Sequence, residues 1–250
     1  MRGIRAALVK LLTVAIASYP VFWVPASAQQ TANTINQTVE QTMQYLLYLP
    51  DDYETSSGKR FPLMLFLHGG GEGGSDIELV KIHGPPKLVE QGEIFPFIIV
   101  APQNPSEELL FPIATVSTLL DDIIANYRVD EDRVYLTGLS RGAFGAWQMA
   151  MQYPDKFAAV VPIAGGGIPN YVNRIGEDVP IWAFHGAKDD VIPLSASVEM
   201  VEALLTLESE REEGEREVKL TVYPEAGHQE SWEMAYGNSR LYRWLLQQSK

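Results

Sequence analysis

The stretch VYLTGLSRGAFGAW, from Val134 to Trp147, constrains this chain more than any other. Apolar, strand-forming residues run into a Gly-x-Ser-x-Gly turn made by Gly138, Ser140 and Gly142, and the turn runs into a helix-forming segment. A chain reversing sharply at Ser140 needs glycine on both sides, because a side chain at either position would collide with the adjoining strand or helix. The turn lifts the serine hydroxyl above the edge of a sheet. A hydroxyl is a weak nucleophile at its free pKa, so the geometry asks for a histidine to take its proton and an acid to orient that histidine.

Both follow in the order this turn predicts. IWAFHGAKDDVIP sets Asp189 and Asp190 after an apolar strand over Val179–His185, and KLTVYPEAGHQESW sets His228 after another over Lys219–Tyr223. Serine, acid, histidine is the order expected of a nucleophile elbow on a parallel sheet. Glycine and serine meet in many ordinary turns, so the pattern alone is weak; the strand before it, the helix after it and the two ordered partners make it strong. Adjacent side chains on a loop point in different directions, so one carboxylate reaches the histidine. Asp189 is preferred, and Asp190 is read as solvent-facing or as a loop cap.

Upstream, FPLMLFLHGGGEGG contains a continuous apolar run from Leu63 to Leu67, bounded by Pro62 and glycines. A run too short for an average helix and apolar on both faces fits a central strand of a parallel sheet. Gly69, Gly70 and Gly71 follow at its end, where bare backbone amides can approach a ligand. One of them and the amide of Arg141 would make an oxyanion hole. Gly-Lys-Ser/Thr does not follow, so the loop is not read as a phosphate cradle. His68 is expected to hold this loop by hydrogen bonds rather than act as the base, and His83 faces either solvent or substrate.

Residues 1–28 read as an export leader. Arg2, Arg5 and Lys10 precede an apolar stretch through Val24, and Ala26-Ser27-Ala28 offers a cleavage site, so the mature chain is expected to start near Gln29 and to be secreted or periplasmic. Residues 29–250 are long enough for one substantial core, and one domain is expected. With no cysteine, disulfides and thiolate sites are excluded. A net charge of -13 without a basic cluster argues against nucleic acid as a partner. No integral membrane association is expected after leader cleavage, since nothing later approaches the length of a bilayer span.

Between these landmarks, QYLLYLP and Phe97–Val100 read as strands and Ala158–Ile163 as another. Asp76–Gln91 reads as an irregular amphipathic region interrupted by Gly84-Pro85-Pro86. Val116, Leu119, Leu120, Ile123, Ile124 and Tyr127 recur at helical spacing, and Ser195–Leu207 is largely helical. The charged run from Glu208 to Glu217 reads as a solvated turn. GGGIPNYVNRIGEDVP holds no long insertion, so a low rim is expected there instead of a lid. Trp182 is expected in the core, while Trp232 and Tyr236 fit either the core or the cleft wall. Alternating strands and helices give an α/β fold: a mostly parallel central sheet with helices on both faces.

With these residues placed, the chain resembles the α/β-hydrolase superfamily, and within it the secreted esterases of the polyhydroxybutyrate-depolymerase, feruloyl-esterase and phospholipase/carboxylesterase-like group. FPLMLFLHGGGEGG, VYLTGLSRGAFGAW, the glycine turn after VVPI, IWAFHGAKDDVIP and TVYPEAGHQESW carry the resemblance, which extends from about residue 41 to residue 248. It implies Ser140 as nucleophile, Asp189 as acid and His228 as base, with Arg141 and Gly70 as oxyanion donors and Gly69 and Gly71 as rivals of Gly70. The implied reaction is acyl transfer to water from a small-molecule or polymer-borne ester of short or compact aromatic acids, with no cofactor and no metal. A serine peptidase or amidase using the same three groups is the alternative.

Overall fold

The apolar runs form the strands β1 (Tyr45–Tyr48), β2 (Phe61–Leu67), β3 (Ile98–Pro102), β4 (Val129–Leu139), β5 (Ala159–Ile163), β6 (Ile181–Gly186) and β7 (Val218–Tyr223). They pair into one sheet in the order β1-β3-β2-β4-β5-β6-β7, parallel throughout except for the antiparallel edge strand β1. The computed structural model describes residues 32, 34–35, 40–108, 110–211 and 216–250. The expected leader and its cleavage site at Ala26-Ser27-Ala28 lie outside the described residues, as does most of the polar segment before Glu40.

Side chains along a strand alternate between faces, and both faces of this sheet are covered. Leu63, Leu65 and Leu67 point to the side packed by α2 (Ile113–Asn126), α3 (Arg141–Gln152) and α4 (Ser195–Ser209). Met64 and Phe66 point to the side packed by α1 (Gly84–Glu90), α5 (His228–Tyr236) and α6 (Ser239–Leu245). All seven residues of β2 are buried, which is why that strand reads as an unbroken apolar run. Helix α2 buries Val116, Leu120 and Ile123 and leaves Asp121 and Asp122 to water, as the periodicity predicts.

Three readings change. Gly84-Pro85-Pro86 opens α1 rather than interrupting a helix, because proline in the first helical turn gives up an amide with no intrahelical acceptor. A 3-10 helix over Ile77–Ile82 precedes it. Strand β4 begins at Val129, not Val134: Val129 pairs with Phe61, and the register then shifts before Leu63 meets Val134. The charged run after α4 is not wholly solvated. Arg216 is only 8% exposed, and its Nε lies 3.2 Å from Glu208 Oε1.

Candidate active site

Six parallel strands end at one edge of the sheet, and the loops beyond those ends supply every group of interest, as in open α/β sheets generally. After β4 the chain turns at Ser140, whose φ of 51° and ψ of -118° suit glycine better than serine. The turn is held from below by the Ser140 amide donating to Ile163 O at 2.9 Å. A methyl group on Gly138 would lie 2.3 Å from Gly142 O, and one on Gly142 would lie 2.0 Å from Leu67 O. Both glycines therefore let strand, turn and helix touch through bare backbone.

The loop after β6 brings Asp189, and the loop after β7 delivers His228 as the first residue of α5. Gly186 matters here: a methyl group on it would lie 2.4 Å from Ala226 O, so glycine lets the acid's strand pass directly beneath the histidine's loop. His228 Nδ1–H donates to Asp189 Oδ2 at 2.6 Å, and His228 Nε2 accepts from Ser140 Oγ at 2.9 Å. The Asp189 side chain is fully buried, and its other oxygen accepts the amides of Val191 at 3.0 Å and Ile192 at 2.8 Å. Asp190 is exposed, and the carboxylate hydrogen-bonded to the imidazole is that of Asp189. This line can draw a proton from Ser140 Oγ to Nε2 while a buried anion steadies the resulting charge.

Arg141 opens α3, where a first-turn amide has no acceptor within the helix. Its guanidinium lies over the glycine loop: a methyl group on Gly70 would meet Arg141 Nη2 at 3.0 Å. Nη1 donates to Glu107 O at 2.6 Å, which ties the loop after β3 to the elbow. Arg141 and Gly70 are thus brought together beside Ser140. Beneath them sits Glu72, 3% exposed. Burial pushes its carboxyl up, against the opposing pull of nearby backbone amides and of the Arg141 charge.

His68 is fully buried under the same loop, donating from Nδ1 to Gly69 O at 2.7 Å and accepting the Asn104 amide on Nε2 at 2.9 Å. Burial pushes its pKa down to about 4, so it is neutral at pH 7 with both nitrogens occupied. It holds the loop, as expected of it. His83 does not reach Ser140: it packs on one side of Trp232, with ring centres 5.6 Å apart, while His228 packs on Trp232 at 4.7 Å. Burial, with the neighbouring Lys87, lowers the His83 pKa. Trp232 is therefore the wall behind His228. Tyr236 is a core residue whose hydroxyl pairs with Thr137 Oγ1 at 2.9 Å, and Trp182 stacks on Phe184 and meets Trp244 edge-on, away from the site.

Two features escaped the sequence reading. His185, the last residue of the strand expected over Val179–His185, lies against Asp189 with Nε2 3.2 Å from Oδ2. A groove of about 550 Å³ also runs from Phe144, one helical turn beyond Ser140, along α3. Leu110, Met151, Ile168, Tyr171 and Arg174 line it as well. Spacing gave a partial signal: Phe144, Gln148 and Met151 share a face of α3, and Ile168, Tyr171 and Arg174 recur every third residue around the 3-10 helix Pro169–Arg174. Among the described residues no helix is long and apolar enough to cross a membrane.

Known proteins resemble this chain in sequence and in fold. The sequence pattern of the family described as Phospholipase/Carboxylesterase matches residues 95–236. Poly(3-hydroxyalkanoate) depolymerase C of Paucimonas lemoignei is 50% identical over 52 residues, covering 21% of this chain and 13% of that protein. A bifunctional acetylxylan esterase/xylanase of Neocallimastix patriciarum is 27% identical over 152 residues, covering 58% of this chain and 21% of its own length. The crystal structure of a thermostable esterase superposes with a TM-score of 0.68 at 31% identity, over 83% of this chain and 60% of that one. The chain thus spans less than two thirds of each of these relatives.

Proposed function

This chain belongs to the phospholipase/carboxylesterase family, and from that premise we propose that it hydrolyses carboxylic esters through an acyl-enzyme on Ser140. The observation that carries the reading is the unbroken hydrogen-bonded line Asp189–His228–Ser140, at 2.6 and 2.9 Å. In this reading His228 Nε2 takes the hydroxyl proton as Oγ attacks the ester carbonyl, and Asp189 fixes the imidazole tautomer. The amides of Arg141 and Gly70 receive the oxyanion. His228 then passes its proton to the departing alcohol, and water repeats the sequence to free the acid.

The groove beside Phe144 receives one side of the ester. Leu110, Ile168 and Tyr171 remain 51%, 55% and 46% exposed, so its walls are open and a long chain lying in it stays partly wet. Each methylene then gains less than the roughly 0.8 kcal/mol of full burial. Short acyl groups and compact aromatic acids are the preferred substrates, and the open walls admit esters carried on polymers, for which two of the relatives are named. In a series of nitrophenyl esters, kcat/KM is expected to stop rising well before chains of about twelve carbons. A steady rise through the longest members would overturn that preference. A matched anilide is expected to turn over far more slowly than the ester; the reverse order would make the protein an amidase.

Export belongs to the same proposal. Protein recovered outside the cytoplasm is expected to begin at or near Gln29, and amino-terminal sequencing that finds Met1 there would remove the leader from it.

A further inference from the structure

The acid of the site has a second imidazole behind it. His185 is fully buried at the end of β6, and its Nε2 lies 3.2 Å from Asp189 Oδ2 and 3.0 Å from Ile192 O. Both neighbours are acceptors, so Nε2 carries a hydrogen. The other ring nitrogen faces Ser197 Oγ at 2.7 Å, and that hydroxyl lies 2.7 Å from Gly165 O. Gly165 in turn packs on the elbow, since a methyl group on it would lie 2.8 Å from Ser140 O. A single ring therefore links the acid's loop, helix α4 and the backbone that supports the nucleophile.

We propose that His185 is a positioning residue for Asp189, its Nε2–H shared between Ile192 O and Asp189 Oδ2 so that the acid's loop and carboxylate present a fixed oxygen to His228. The proposal rests on the ester-hydrolase reading of Ser140, Asp189 and His228. Oδ2 is hydrogen-bonded to His228 Nδ1 and stands 3.2 Å from His185 Nε2, while Oδ1 accepts two amides, so the carboxylate has donors or close polar contacts on both oxygens. Each donor also spreads the negative charge, weakening the hold of Asp189 on the proton shared with His228. The titratable groups around His185 are Asp189 on its own loop and, beyond it, His228 at the start of α5. Lys188 turns outward to Glu225, Asp190 is exposed, α4 contributes Ser197, and β7 contributes Val222 beside it in the sheet.

The two ring nitrogens can be removed separately. His185→Gln can keep a donor near Asp189 and lose the contact with Ser197; His185→Asn can keep the contact with Ser197 and lose the donor to Asp189. In the asparagine variant Asp189 holds one donor fewer and stabilises protonated His228 more strongly. Free enzyme must carry neutral His228 to act as base, so the acid limb of kcat/KM is expected to move to higher pH by about half a unit. The rate on the plateau is expected to fall roughly tenfold, the worth of one hydrogen bond to a charged group. The glutamine variant is expected to keep the wild-type limb. An unmoved limb in the asparagine variant, or a shift in the glutamine variant alone, would overturn the proposal. Should neither variant fold, nitrogen NMR of the wild-type protein decides, since the sequence has only 4 histidines to assign. Nε2 of His185 is expected to be protonated at the pH of activity, and an unprotonated Nε2 would rule the donor out. Fluorophosphonate labelling of the wild-type protein at Ser140 tests the underlying hydrolase reading separately.

Discussion

Ser140→Ala is expected to lower kcat for a nitrophenyl ester by a thousandfold or more and to abolish labelling by a fluorophosphonate, while the melting temperature stays within about a degree. The rate effect follows from removing the one atom placed 2.9 Å from His228 Nε2. The neutral effect on stability follows from the backbone. Serine and alanine both carry a Cβ, so the cost of holding φ at 51° is the same in each, and the half-buried hydroxyl is the only group lost. KM is expected to change little, because the substrate contacts proposed for the groove and for the amides of Arg141 and Gly70 do not involve the removed hydroxyl. Wild-type turnover in the alanine variant would remove Ser140 from the mechanism. Lost activity with a collapsed fold would leave its chemical role undecided, which is why the melting curve accompanies the rate.

The second large effect belongs to a residue with no side chain. On helix propensity alone, Gly142→Ala in α3 should stabilise by about 1 kcal/mol. The opposite is expected. The added methyl would lie 2.0 Å from Leu67 O and 2.5 Å from His68 O, both backbone atoms at the end of a fully buried central strand that cannot swing aside. Helix α3 must back away from β2, opening the core around Trp147, which is fully buried. A cost of about 3 kcal/mol or more is expected, or a melting temperature about 6–12 °C lower in a domain of this size. Activity should fall with it, because Ser140 and the glycine loop sit on the two parts being pushed apart. A rise in melting temperature would mean that the two backbones do not touch as described.

What could be foreseen in the chain, and what could not, follows from how far apart the responsible residues lie. Ser140, Asp189 and His228 were legible because each stands in a local pattern, a glycine turn or an apolar run ending in a polar loop, and their order fixed the partnership. Strand β2 was legible because both faces of a central strand are apolar. His185 was not, since its meaning depends on Ser197 and Asp189 arriving around it, and a histidine at a strand end looks the same with or without them. Arg216 lies in a run of charges that reads as solvent-facing, and only the return of Glu208 from the end of α4 makes it a buried ion pair. The groove needed Leu110 from one loop and Tyr171 from another, a pairing that no local pattern records.

The backbone at Ser140 has a consequence for anyone trying to harden this protein against heat. Its φ of 51° and ψ of -118° lie where an L-residue is strained by about 1–3 kcal/mol and glycine is not. Glycine at that position would relax the turn and leave an inert protein. A mutant library sorted only for resistance to heat or protease would therefore be drawn toward the loss of its own nucleophile, and the best-surviving clones would include ones that do nothing. Screens on this scaffold need turnover as a second gate, because at this one residue durability and chemistry pull in opposite directions.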